Sequence, residues 1–295
     1  MRVAVVGATG TIGRPLVQAL AVEHELTAVS RSGREVVAGT ASVAADATDP
    51  SAMLAALRGA EVVYHLVHSL GQPDFEASDR AAAHAVAEAA SAAGARQIVF
   101  LGGLGEASAD LSAHLRSRAE TAAILAQGTV PVTTLRAAMI VGKDSAAFET
   151  IRALVDRLPV MICPRWVSVE TQPVALVDVV GALVAVCGRP ESFGVTYDVG
   201  GPEVMTYRAM MERTARIRGR KPLLIEVPLL TPWLSSLWLH LVTPVNAGVS
   251  RPLIEGLRIP TLARDDSIWK LVGRERTGFD DAVRAALGQT TRSSA

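Results

Sequence analysis

Gly7, Gly10 and Gly13 follow the apolar run over 3–6 at every third position. A buried strand that turns on glycines into a helix offers bare backbone N–H groups and a helix N-terminus, and that combination binds a pyrophosphate. Gly7 permits the tight turn, Gly10 leaves room for phosphates against the backbone, and Gly13 lets the helix pack close to the strand. Thr9, Thr11 and Ile12 fill the turn and share its contacts. Arg31 closes a second apolar run, over 26–30, where the adenosine ribose of a dinucleotide would lie. A planar cation there suits a 2′-phosphate, whereas an acidic residue would select NAD. Arg14 and Arg34 are near enough in sequence to help. NADP(H) is the expected cofactor, with NAD(H) as the alternative. Asp46 and Ala47 lie just past a short third run and are placed to meet the adenine, although Asp46 also suits a turn or cap; Leu66 and Gly102 complete the expected cofactor-binding set.

The candidates for proton transfer are histidines. His68 follows the apolar run over 61–67, and strand ends in an open α/β sheet face the ligand crevice. His114 and Arg118 are four residues apart and share one face of a helix expected over 112–126. An imidazole titrates near neutrality and can protonate a developing alkoxide, with Arg118 as a cation near the ribose or the substrate oxygen. A structural histidine and an intrahelical ion pair are the plainer readings. For substrate contact the candidates are His68, Arg165, Trp166 and Gln172, with Tyr207 beside them. An Arg and Trp side by side can pair with and stack on a flat or anionic ligand, or serve as a surface charge and a core residue. Asp178 reads as a helix cap, and Cys163 and Cys187 as small hydrophobes. The six histidines are scattered, so no metal site is expected.

Positioning these groups requires alternating elements. Short apolar runs over 3–6, 26–30, 43–45, 61–67, 97–101 and 132–141 are separated by helical stretches, including an alanine-rich one over 81–93. That alternation predicts an α/β fold, a doubly wound parallel Rossmann sheet, over 1–145. A smaller C-terminal substrate lobe is expected over 146–295, from which the helix over 174–187 and the strand over 194–199 pack back on the Rossmann core. Within it, 148–158 reads as an amphipathic helix and 159–166 as an irregular, proline-bracketed segment.

Lys+Arg and Asp+Glu both number 29, so nothing in the charge balance points to nucleic acid. Two cysteines outside any Cys-x-x-Cys pair fit a reducing compartment. The first residues already read as a strand, so no signal peptide is expected and the expected location is cytoplasmic. Between Glu226 and Arg251 there is no charged residue, while Trp233 and Trp238 fall inside. Pro228, Pro232 and Pro244 break this stretch, so 227–250 reads as a pocket wall, an oligomer surface, or a peripheral contact at the inner membrane face.

Gly7-Ala-Thr-Gly-Thr-Ile-Gly13, Phe100-Leu-Gly-Gly-Leu-Gly105, the helical stretch from Leu111 to Glu120, Leu135-Arg136, the stretch from Gln172 to Asp178 and Tyr197-Asp-Val-Gly-Gly-Pro202 together carry a resemblance over nearly the whole chain. The sequence resembles the atypical, extended-like short-chain dehydrogenase/reductases, in the branch of NmrA-type proteins and the accessory subunit of respiratory complex I. That family implies dinucleotide binding and, in most members, a Tyr-x-x-x-Lys pair with a serine at the end of the fifth strand. Here the residues four past Tyr64, Tyr197 and Tyr207 are His68, Gly201 and Met211, so the pair is missing. His114 and Arg118 occupy its place on the matching helix, and Gly102-Gly103 replaces the serine. Three functions remain open: an NADP-dependent oxidoreductase with a non-standard active site acting on a small carbonyl, enone or quinone-like substrate; a non-catalytic NADP(H)-binding redox sensor or assembly protein; and a sugar-nucleotide epimerase or dehydratase.

Overall fold

The computed structural model describes residues 1–105, 112–227 and 256–289. Its first half alternates strands β1 (Arg2–Val6), β2 (Glu25–Ser30), β3 (Ala41–Ala44), β4 (Val62–His65), β5 (Gln97–Gly103) and β6 (Val132–Ala137) with helices α1 (Gly13–Leu20), α2 (Pro50–Ala56), α3 (Phe75–Ala92) and α4 (Ala113–Ala126). Local chemistry starts the helices. Asp49 accepts from the amides of Ser51 and Ala52 while Pro50 opens α2, and the Ser112 hydroxyl accepts from the Leu115 amide at the head of α4.

The second half contributes β7 (Ile140–Val141), α5 (Ala146–Arg157), β8 (Val160–Pro164), β9 (Glu170–Thr171), β10 (Val174–Ala175), α6 (Leu176–Ala185), β11 (Thr196–Val199), β12 (Met205–Thr206), α7 (Tyr207–Ile217), β13 (Leu223–Val227), α8 (Ser267–Val272) and α9 (Phe279–Ala286). The central sheet has seven strands in the order β11-β6-β5-β4-β1-β2-β3, all paired in parallel. The fold is therefore α/β and doubly wound. One apolar layer packs α1 and α6 on one face of the sheet, and a second packs α2 and α3 on the other. A third cluster, with Phe148, Trp166, Met210 and Phe279, lies among the elements after β6. β11 extends the seven-stranded sheet and α6 packs against α1, so part of the second half is built into the Rossmann core.

Several sequence expectations change. The run over 132–141 is two strands, because the chain leaves the sheet after Ala137 and β7 pairs with β10 instead. The segment over 159–166 is a strand that pairs in parallel with β13 from Val160 to Pro164. Its residues alternate, Met161 and Cys163 inward and Val160 and Ile162 outward, so the period of two was legible between the prolines. Asp178 is not the cap of α6, whose N-cap is Ala175. Its fully buried carboxylate accepts from the Thr277 amide and hydroxyl and pairs with Arg274, tying the C-terminal segment to the core. The stretch over 228–250, and with it almost all of the expected apolar surface, lies outside the described residues. No described helix is long and apolar enough to cross a membrane.

Candidate active site

The glycine turn is set by contacts that admit no side chain. Gly7 has φ +95°, a conformation that side chains rarely adopt, and a Cβ there would sit 3.1 Å from the Leu66 carbonyl carbon. At Gly13 a Cβ would lie 2.2 Å from the Gly7 carbonyl oxygen. The turn opens on a cavity of about 290 Å³ lined by Gly7, Thr9, Gly10, Arg31, Asp46, Ala47, Leu66 and His68. Asp46 accepts from the Thr48 amide and hydroxyl, and these bonds, with Arg31 nearby, hold its carboxyl below the usual range. Gly13 packs beneath the turn, outside the cavity lining. Arg14 donates to the Thr9 carbonyl and so braces the turn.

A second cavity, of about 330 Å³, continues from Leu66 and His68 and is lined also by Thr11, Ile12, Gly102, His114, Arg118 and Tyr207. Along its edge runs a hydrogen-bonded chain. Asp79, on α3 and 2% exposed, lies 2.8 Å from His68 Nδ1, and His68 Nε2 lies 2.9 Å from His114 Nδ1. Asp79 accepts further from the Ser69 amide and the Ser117 hydroxyl. Burial works against its charge, but the bonds from His68, Ser69 and Ser117 outweigh it and hold the carboxyl at about 2. Burial lowers His68 despite Asp79, and burial together with His68 and Arg118 pushes His114 down to about 3. The imidazoles are neutral at pH 7, and the ionised Asp79 orders their protons. It accepts a hydrogen bond from His68 Nδ1–H, so His68 Nε2 accepts from His114 Nδ1–H, and His114 Nε2 is left as a base.

Arg118 lines the same cavity, but its guanidinium donates to the carbonyls of Val67 and Leu101 and lies 4.5 Å over the Phe100 ring. It thereby joins the ends of β4 and β5. Arg165, Trp166 and Gln172 line neither cavity. Arg165 is exposed; Trp166 packs edge-on against Tyr207, with centroids 5.9 Å apart; Gln172 bonds the Gly201 carbonyl and the Ala263 amide. Asp79 and Ser117 are the members of this cluster that sequence reasoning missed. The available signal was spacing, since Asp79 falls in register with the buried Ala82, Ala83 and Val86 on one face of α3. A carboxylate on an apolar stripe must have a partner.

A parallel Rossmann sheet with a glycine turn at the end of its first strand, opening on a two-part crevice, defines a nicotinamide-dinucleotide-binding protein. The chain matches the model of the NAD(P)H-binding family over residues 7–155 and belongs to that family, in agreement with the short-chain dehydrogenase/reductase resemblance of its sequence. It is similar to the (4-alkanoyl-5-oxo-2,5-dihydrofuran-3-yl)methyl phosphate reductase of Streptomyces griseus, 29% identical over 75% of each chain. It is also similar to subunit 9 of the NADH dehydrogenase [ubiquinone] 1 alpha subcomplex of Arabidopsis thaliana mitochondria, 27% identical over 70% of this chain and 56% of that one. Among solved structures, a nucleoside-diphosphate-sugar epimerase from Staphylococcus aureus superposes with a TM-score of 0.75 over 96% of this chain and 100% of that one, at 16% identity. At that identity the likeness is one of fold.

Proposed function

We propose that the protein is an NADP(H)-dependent reductase of a small carbonyl, enone or quinone-like substrate in which Asp79, His68 and His114 replace the usual tyrosine and lysine. The observation that carries this reading is the unbroken Asp79–His68–His114 chain ending on the cavity that adjoins the glycine turn. When bound, the dinucleotide supplies a hydride. The residues that would hold it are Gly7, Thr9, Gly10, Thr11, Ile12, Arg31, Asp46, Ala47, Leu66 and Gly102, and the fit rests on the tight glycine turn, which Gly13 lets pack against the helix and whose Gly7 and Gly10 face the first cavity without side chains. The chain's own part is to move a proton. His114 Nε2 delivers it to the substrate oxygen, His68 relays the replacement, and Asp79 stabilises the positive charge while it is on the imidazoles. Arg118 keeps the two strand ends together and disfavours resting protonation of His114.

The test is single-turnover oxidation of bound NADPH against ketones, enones and quinones. Because His114 rests neutral with a value of about 3, the loaded relay becomes about tenfold rarer with each pH unit above that. The rate of reduction should therefore fall with a log slope near −1 between about pH 5.5 and 8, while the reverse oxidation, which needs the neutral form, stays flat. Absence of turnover with every class would leave a non-catalytic NADP(H)-binding protein.

The cofactor preference rests on Arg31, which lines the first cavity at the end of β2. Arg31→Ala should weaken NADPH about tenfold or more by fluorescence titration and leave NADH nearly unchanged. Equal loss for both dinucleotides would remove Arg31 as the 2′-phosphate contact.

A further inference from the structure

Beyond the histidine relay, the second cavity is walled by hydrocarbon. Leu70, Leu101, Leu104, Leu115, Met139 and Leu257 all line it. Among the described residues that line it, the charged side chain is Arg118, and its guanidinium is already taken by the Val67 and Leu101 carbonyls and the Phe100 ring. The polar side chains are engaged as well. Thr11 donates to the Asp144 carbonyl, Ser145 donates to the Ile140 carbonyl, and Thr261 pairs with Thr171 at 2.7 Å. The N-terminus of α5 also faces the cavity, and the Thr11–Asp144 bond places it beside the glycine turn rather than within the leucine wall. Within the wall, His114 Nε2 is the ring nitrogen without a protein partner among the described residues.

A phosphate or carboxylate entering such a space would lose its hydration against hydrocarbon and, among the described residues, meet Arg118 alone, whose guanidinium is already committed to two backbone carbonyls, whereas an alkyl or aryl body would gain from the same wall. We infer that the site takes an uncharged, apolar ketone, with its oxygen on His114 Nε2 and its carbon body against the leucine wall. This rests on the reading of the cavity as a reductase site. In the reaction the carbonyl carbon gains the hydride of the reduced nicotinamide, the C=O π pair becomes the O–H bond with the relay proton, and a neutral secondary alcohol and the oxidised dinucleotide leave. A diphosphate-linked sugar, the ligand type named for the structural neighbour, does not suit this wall.

Calorimetric titration of the protein saturated with NADP+, which cannot reduce a ketone, separates binding from turnover. The probes are 2-decanone, 2-oxodecanoate and UDP-glucose. Saturable binding of 2-decanone is expected, with the keto acid and the sugar nucleotide at least about tenfold weaker. Leu257→Asp should weaken 2-decanone by about tenfold and leave the NADP+ titration, which also reports folding, within about twofold of wild type. Equal or tighter binding of 2-oxodecanoate or UDP-glucose, binding of none of the three, or an unchanged ketone affinity in the folded Leu257→Asp variant overturns the inference. If 2-decanone binds to the NADP+ form but neither it nor any other ketone is reduced by NADPH, the reductase reading falls while the ligand class stands.

Discussion

Replacing His114 with alanine is expected to slow single-turnover reduction by about 10²- to 10⁴-fold, the contribution of a positioned general acid, with NADPH affinity little changed. His114 sits on α4 with Nδ1 2.9 Å from His68 Nε2 and lines the second cavity rather than the one beside Arg31. Its loss should therefore appear in the chemical step and not in dinucleotide titration. Asp79→Asn probes the same chain from its far end. An amide can donate to His68 Nδ1, which reverses both tautomers and leaves a proton on His114 Nε2 at rest. The variant should be slower than wild type, because the proton then comes from a neutral imidazole, a far weaker acid than the imidazolium, and for the same reason its reduction rate should lose the steep fall with rising pH. A His114→Ala rate within about threefold of wild type would exclude His114 as the proton donor, since a positioned general acid is worth far more.

The second large effect is expected at Gly13. A Cβ at this position would lie 2.2 Å from the Gly7 carbonyl oxygen and 2.8 Å from the Ala8 carbonyl carbon, both backbone atoms of the turn itself. No rotamer relieves that contact, so Gly13→Ala must push α1 away from β1 or open the turn. NADPH binding should weaken by about 100-fold or more, and the thermal midpoint should fall by several degrees, because Leu16, Val17 and Leu20 of α1 all belong to one core layer. Gly39→Ala is the useful control. Gly39 has φ +84° but open space around it, so its substitution strains the local backbone without touching the turn. NADPH titration and a melt of each variant separate the two cases, and unaltered dinucleotide affinity in Gly13→Ala would contradict the cradle as described.

Much of the sheet was legible because its signals are local. The run over 3–6, the cap and proline at Asp49 and Pro50, and the serine that heads α4 act within a few residues of themselves, and each appears where its chemistry requires. The breaks were harder to see. Nothing in 132–141 marks the departure of the chain after Ala137, because both pieces are apolar and the decision belongs to β10, more than thirty residues further on. Asp178 read as a cap because it stands in a first turn; its partners Thr277 and Arg274 lie about a hundred residues away.

The same division runs through the site. A resemblance carried by several motifs pointed to the family, while spacing and residue type identified the absence of a Tyr-x-x-x-Lys pair, the glycine turn and the arginine at the end of β2. These follow from short-range geometry, in which strand, turn and helix N-terminus are made by consecutive residues. Only the tertiary structure joined Asp79, His68 and His114, which come from α3, the loop after β4, and α4. It also placed Arg118 against two backbone carbonyls and left the cavity beyond it apolar. A hydrogen bond between helices depends on how their buried faces pack across the sheet, and that packing is a property of the whole core rather than of any one stretch of chain.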